Sequence, residues 1–161
     1  MSTQADKLDA IDMHILQLLQ EDGRITNLEL SSRIGLSPAS TLERVKKLEK
    51  AKIIESYHAR LNRQKLNLGI SALMMITLSR QFGDSMSRFK EKIKKIPEIV
   101  ECYQITGNAD YMLKVTVKDM PAFEKLIANT FSQIEEIGHL QTMIVVSDVK
   151  QSKLLPLNYS R

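Results

Sequence analysis

Ser37, Pro38, Ser40, Thr41, Glu43, Arg44 and Lys47 crowd into one short segment, with small hydroxyl residues leading and charged ones following. That order suits the major groove of DNA. Short side chains let the first turn of a helix approach the base edges, and long cations further along reach bases or phosphates. In this reading Ser40 and Glu43 face base edges, Arg44 and Lys47 reach bases or phosphates, and Ser37 is a helix cap placed to touch phosphate. Six cations stand against two acids between residues 31 and 52, while residues 1–62 hold nine of each. The basic character is therefore local, as a docking face requires.

The elements that would position these side chains are legible from caps. Thr26 and Glu29 are spaced as a capping box. They open a short helix carrying Leu28, Leu30 and Ile34, with Gly35 where a left-handed C-cap belongs. Ser37 then caps a second helix whose first residue is Pro38, where a missing N–H costs nothing. Stop and restart at this spacing predicts a helix-turn-helix. At 100° per residue Leu42, Val45, Leu48 and Glu49 fall on the inward side of the second helix, and Ala39, Ser40, Glu43, Arg44, Lys47 and Lys50 on the outward side. Leu8, Ile11, Ile15, Leu18 and Leu19 keep helical spacing before them and predict a first helix ending at Asp22-Gly23. The β-branched pair and alternation of IIESYHARLN (53–62) predict a strand, either a wing or a lead-in to a second domain.

The pattern changes at residue 70. ISALMMITL reads as a strand covered on both faces. Met86, Phe89, Ile93 and Ile96 mark a helix stopped by Pro97, and VECYQIT, GNAD and YMLKVTV read as strand, turn and strand. Asp119 caps a helix holding Phe123, Ile127, Phe131 and Ile134, and LQTMIVVSDV is a last strand before a polar tail. The order βαββαβ is that of a ferredoxin-like fold. The fold class expected is thus α+β: a three-helix winged helix-turn-helix over 1–60, a hinge over 61–69 and a ferredoxin-like domain over 70–161. Residues 1–7 are a polar leader. One apolar face of the sheet lacks a partner, which predicts a homodimer joined sheet to sheet.

Composition closes other routes. The 161 residues are 43% hydrophobic with a net charge of +4, enough for real cores and only mildly basic. The single cysteine, Cys102, excludes an internal disulfide and reads as a small buried hydrophobe; the eight methionines read as adaptable core or interface. His14, His58 and His139 lie far apart without partners at ligand spacing, so no metal and no cofactor are expected. No Ser-His-Asp, Cys-His, paired-carboxylate or phosphate-loop arrangement appears, and an enzyme is not expected. Arg88, Lys90, Lys92, Lys94 and Lys95 surround an apolar stripe as a solvated face, with a second DNA-wrapping surface as the other reading. No N-terminal apolar run resembles a signal peptide, and no stretch approaches a membrane span, so the expected compartment is the cytoplasm.

Two segments carry a family resemblance. LSPASTLERVKKLE resembles the recognition helix of the Lrp/AsnC (feast/famine) transcription regulators, and ITGNADYMLKV is similar to the strand-turn-strand of their amino-acid-sensing domain, often written TGxxDY. The match runs in order over nearly the full chain. It implies a DNA-binding regulator built from dimers, commonly four in a ring forming an octamer, with free amino acids bound between dimers. Leucine or another apolar amino acid is the effector it suggests. Carried over by position, Thr106, Gly107, Asn108 and Asp110 become the effector-binding candidates. A Gly-Asn turn offers backbone amides to a carboxylate, and Asp110 offers an anion to an ammonium. The same residues also suit a plain hairpin turn, with Asp110 fixing it rather than touching ligand. The alternative to an effector-controlled regulator is an architectural DNA-compacting protein with weak sequence specificity and no effector.

Overall fold

Asp9 opens the first helix, α1 (Ala10–Glu21), with a full capping box: its Oδ1 accepts from the Asp12 amide at 2.8 Å, and its own amide donates to Asp12 Oδ2 at 3.3 Å. The computed structural model describes residues 8–79, 83–152 and 154–157; the polar leader 1–7 lies outside them. At α2 (Asn27–Ile34) only half of the expected box forms. Thr26 Oγ1 accepts from the Glu29 amide at 3.1 Å, but the Glu29 carboxylate accepts instead from Arg33 Nη2 at 2.7 Å, one turn along. The i,i+4 ion pair outcompetes the return to the backbone. Gly35 ends α2 at φ +73°, the left-handed cap expected. Ser37 then caps α3 (Pro38–Lys50) through the Ser40 amide at 3.2 Å, with proline in the first turn.

Ile15, Leu16, Leu18, Leu30 and Leu48 form the core of these three helices, with Val45 and Ile54 packed at its edge. The strand expected over 53–62 does not form. The amides of Ile53 and Ile54 both donate to the Leu48 carbonyl, at 3.0 and 3.2 Å, and Lys52 turns left-handed at φ +58°. The β-branched pair closes the end of α3, and Ile54 points into the core. Extended pairing is thereby lost to a helix cap.

From residue 70 the predicted order appears: β1 (Ile70–Leu78), α4 (Asp84–Ile93), β2 (Ile99–Gln104), β3 (Tyr111–Val117), α5 (Met120–Asn129) and β4 (Ile137–Ile144). The sheet runs β2-β3-β1-β4 with every neighbouring pair antiparallel. Its helix face buries Ala72, Met74 and Ile76 with Tyr111, Leu113 and Val115 against Phe89, Ile93, Phe123 and Leu126. On the other face Leu73, Met75 and Met112 are half-buried, and Tyr103 and Met143 are exposed. Within a single chain β1 is thus covered on one side only. Cys102, expected to be buried, is exposed on the edge strand.

The chain divides into two compact units. One joins the residues up to Arg60 with those from Gln151 on, and the other is Leu61–Lys150. The tail had been expected in the second domain. Instead Leu155 is bonded through both its amide (2.6 Å) and its carbonyl (3.3 Å) to the Gln20 side chain of α1, and Leu157 packs on the three-helix core.

Candidate DNA-reading face and effector loop

Helix α3 turns Thr41, Val45 and Leu48 inward, not Leu42, which is 43% exposed. The outward surface carries Ala39, Ser40, Glu43, Lys46, Lys47 and Lys50, with Ser37 and Pro38 exposed at its start. The Pro38 carbonyl accepts from Asn27 Nδ2 at 2.8 Å, a bond that ties the first turn of α3 to α2. Two of the candidates have other employment. Thr41 is fully buried and its hydroxyl donates to the Ser37 carbonyl at 2.9 Å, so it holds the turn and cannot touch a base. Arg44 is half-buried. Its Nη1 donates to Asp9 Oδ2 at 2.8 Å and to Asp12 Oδ1 at 2.7 Å, which pins α3 to the start of α1. A guanidinium neutralised by two carboxylates is a brace rather than a phosphate ligand. Sequence reasoning missed this partner pair, although the i,i+3 aspartates at an N-cap were its signal.

The brace makes a pH prediction. The Asp12 amide, aided by Arg44, holds the Asp9 carboxyl below its ordinary value. A depressed folded value means stability that is present above the unfolded pKa and is lost as pH falls through the folded one. Asp9→Asn keeps a good cap and removes only the charge. Thermal melts of this variant should begin below wild type at pH 7, and the gap should close in acid beneath the ordinary aspartate range. A gap of equal size at both pH values would remove the charge from the explanation.

In the second unit, residues 105–110 join β2 to β3. The Ile105 amide donates to the Asp110 carbonyl and the Asp110 amide to the Ile76 carbonyl, both at 2.9 Å. One Asp110 carboxylate oxygen accepts from the Leu78 amide at 2.8 Å, so this side chain braces the loop against the end of β1. Ala109 is buried beneath, while Thr106, Gly107 and Asn108 are exposed at the tip, and the Asn108 carbonyl accepts from Thr77 Oγ1 at 3.4 Å. Gly107 sits at φ +118°, a region L side chains rarely adopt. The arrangement offers backbone amides on a braced tip.

The cations of α4 are not a bare basic face. Glu136, whose side chain is 4% exposed, accepts from Lys92 Nζ at 2.7 Å and Arg88 Nε at 3.1 Å, and these partners, Lys92 foremost, hold its carboxyl below the usual range despite burial. Lys94 pairs with Glu91 at 2.8 Å. Among the described residues no helix is long and apolar enough to cross a membrane, and no group of three His, Cys, Asp or Glu side chains could hold a metal ion.

Comparison with known proteins matches both units. The family model described as the Lrp/AsnC ligand binding domain covers residues 71–155, and one described as a winged helix-turn-helix DNA-binding domain covers residues 8–55. The leucine-responsive regulatory proteins of Klebsiella pneumoniae and Escherichia coli (strain K12) are each 43% identical over 148 residues, 92% of this chain and 90% of theirs. A transcriptional regulator from Neisseria meningitidis, solved as a complex with L-Met, superposes with a TM-score of 0.90 at 38% identity, covering 94% of this chain and 97% of that one. AsnC from E. coli superposes with a TM-score of 0.84 at 26% identity over 91% and 97% of the two chains. These relatives are regulators of transcription, not enzymes, as the lack of any catalytic constellation in the sequence led us to expect.

Proposed function

We propose a function for this chain on one premise: it belongs to the Lrp/AsnC family of transcription regulators. It is a DNA-binding regulator with an amino-acid-binding domain. In our reading the outward face of α3 enters the major groove. Ser40 and Glu43 approach base edges, Lys47 reaches a base or phosphate, Ser37 and Pro38 start the helix beside the backbone, and Arg44 holds the helix in place from behind. The observation that carries this reading is the exposed, locally cationic face of a helix capped at Ser37 and Pro38.

The effector in this proposal is a free apolar amino acid, leucine first. The names of the leucine-responsive relatives and the L-Met complex of the Neisseria regulator support that class. The exposed amides around Thr106, Gly107 and Asn108 would take its carboxylate, with Asp110 fixing their geometry. Two copies would join through the half-buried Leu73, Met75 and Met112 with Tyr103 and Met143, burying a methionine-rich patch that adapts well to a partner. Dimers would then assemble, up to an octamer, with effector held between them, in the cytoplasm where a bacterial or archaeal chromosome lies. Effector and operator affinities must change each other by the same factor.

Calorimetry with the twenty amino acids, on wild type and Gly107→Val, tests the loop. The space around Gly107 is open, so valine leaves the packing intact while imposing about 1–2 kcal/mol of backbone strain on the tip. At least one apolar amino acid should bind wild type and lose tenfold or more in the variant. Equal binding to both proteins would remove the loop from the site, and binding of none of the twenty would leave the architectural reading.

A further inference from the structure

The helix face of the sheet is not fully covered. Cys102 and Gln104 of β2 pair with Leu113 and Tyr111 of β3, whose side chains are buried under the helices, yet both β2 residues are exposed. A register shift between Ile99 and Glu101 leaves Val100 as an extra, exposed residue on this edge strand. Lys90 and Ile93 of α4, with Lys94 just past its end, form the facing wall, and the cleft between them measures about 340 Å³. That is within the range of small-molecule sites.

Three observations say what chemistry the cleft would take. Tyr111 lines it, is 1% exposed, and its buried hydroxyl has no hydrogen-bond partner among the described residues. A buried unsatisfied hydroxyl is costly in a native protein and points to a missing polar partner. Lys90 lies 6.0 Å from the centre of the Tyr111 ring, with its ammonium donating to Gln104 Oε1 at 3.1 Å, and Lys94 holds only an exposed pair with Glu91. Among the described lining residues the one carboxylate already serves two other donors. Glu101, the acid of this wall, accepts from Lys114 at 3.3 Å and from the Tyr103 hydroxyl at 2.9 Å. The remaining lining, Ile93, Ile99 and Val100, is apolar.

We propose that this cleft is a second small-molecule site, separate from the 105–110 loop, that takes an aliphatic carboxylate lacking an ammonium group, such as a branched 2-oxo acid. The carboxylate lies against Lys90 with the Tyr111 hydroxyl donating to it, and the aliphatic tail lies on Ile93, Ile99 and Val100. A regulator with both sites would read an amino acid on the loop and a deaminated acid in the cleft.

Cys102 stands in the cleft as the chain's one thiol and reports occupancy directly. The rate of its alkylation by iodoacetamide is measured on the full chain with and without 4-methyl-2-oxopentanoate, with leucine as comparator. At ten times the dissociation constant, the oxo acid should slow alkylation about tenfold by mass action. It should do so in wild type and Gly107→Val alike, and protection should be lost in Lys90→Gln and weakened in Tyr111→Phe. Each ratio is taken within one variant, because burial pushes the Cys102 thiol up and the Lys90 charge opposes that, so removing Lys90 changes the thiol as well. Equal rates with and without the oxo acid would overturn the proposal. So would protection that vanishes in Gly107→Val, protection by leucine equal to that by the oxo acid, or protection that follows protein concentration and assigns the cleft to a second copy. Failure of leucine to bind the loop leaves the oxo-acid result standing, so the two readings fail separately.

Discussion

Lys47→Ala is expected to weaken operator binding by about 1–3 kcal/mol, roughly 5- to 150-fold, if this side chain reads a base, and to lower the salt slope by about one if it contacts phosphate. Lys47 is exposed on the same stripe of α3 as Ser40 and Glu43. Fluorescence anisotropy of a labelled operator across a salt series separates the two cases, because a lost base contact acts on one sequence and a lost phosphate contact on all. Arg44→Ala is the informative control. Its guanidinium is bound to Asp9 and Asp12, so its removal should loosen α3 from α1 and lower the melting temperature. Unchanged affinity and slope in Lys47→Ala would take the outward face of α3 out of the groove.

The difference between those neighbouring cations marks where sequence reading stops. Local signals transferred well: Ser37, Pro38 and Gly35 act through adjacent backbone, and each does what its type requires. The βαββαβ order was equally legible, because apolar periodicity reports burial along one element. Choices between competing partners were not. By spacing, the Glu29 carboxylate could serve either the Thr26 amide or Arg33, and only geometry decides for the arginine. Ile53 and Ile54 have strand propensity, yet the free Leu48 carbonyl recruits them as a cap. Helical projection put Leu42 inside where Thr41 belongs, an error of one position that reassigns a candidate contact to the core. Long-range partners are not written in any one element: Gln20 with Leu155 and Glu136 with Lys92 are far apart in the chain, and for Arg44 with Asp9 the paired aspartates at the N-cap mark only one half of the bridge. Asp110 lies between these cases. Its role was open between ligand and turn, and its bond to the Leu78 amide assigns it at least the turn.

The second large effect follows from the separateness of the two cores. Phe89 is fully buried and its ring packs against Tyr111 at 4.7 Å between centroids, tilted by 42°. Phe89→Ala should therefore cost about 3–5 kcal/mol through lost transfer energy and the cavity left behind. A small domain holds only about 5–15 kcal/mol in total, so the loss falls heavily on the unit that contains it. Among the described residues its core shares no member with the three-helix cluster built on Ile15, Leu30 and Leu48. Unfolding should accordingly cease to be a single transition. Amide exchange should accelerate along β1 and β3 while protection within α1 to α3 is retained, and a uniform acceleration over both units would show them to unfold as one. The functional consequence runs through assembly. With the sheet loosened, the loop at 105–110 loses the end of β1 that braces Asp110, and the apolar face built on Leu73 and Met75 no longer presents the fixed surface that the proposed dimer needs. Operator binding should then fall to that of an isolated helix-turn-helix and stop responding to amino acids, although the outward side chains of α3 are still in place.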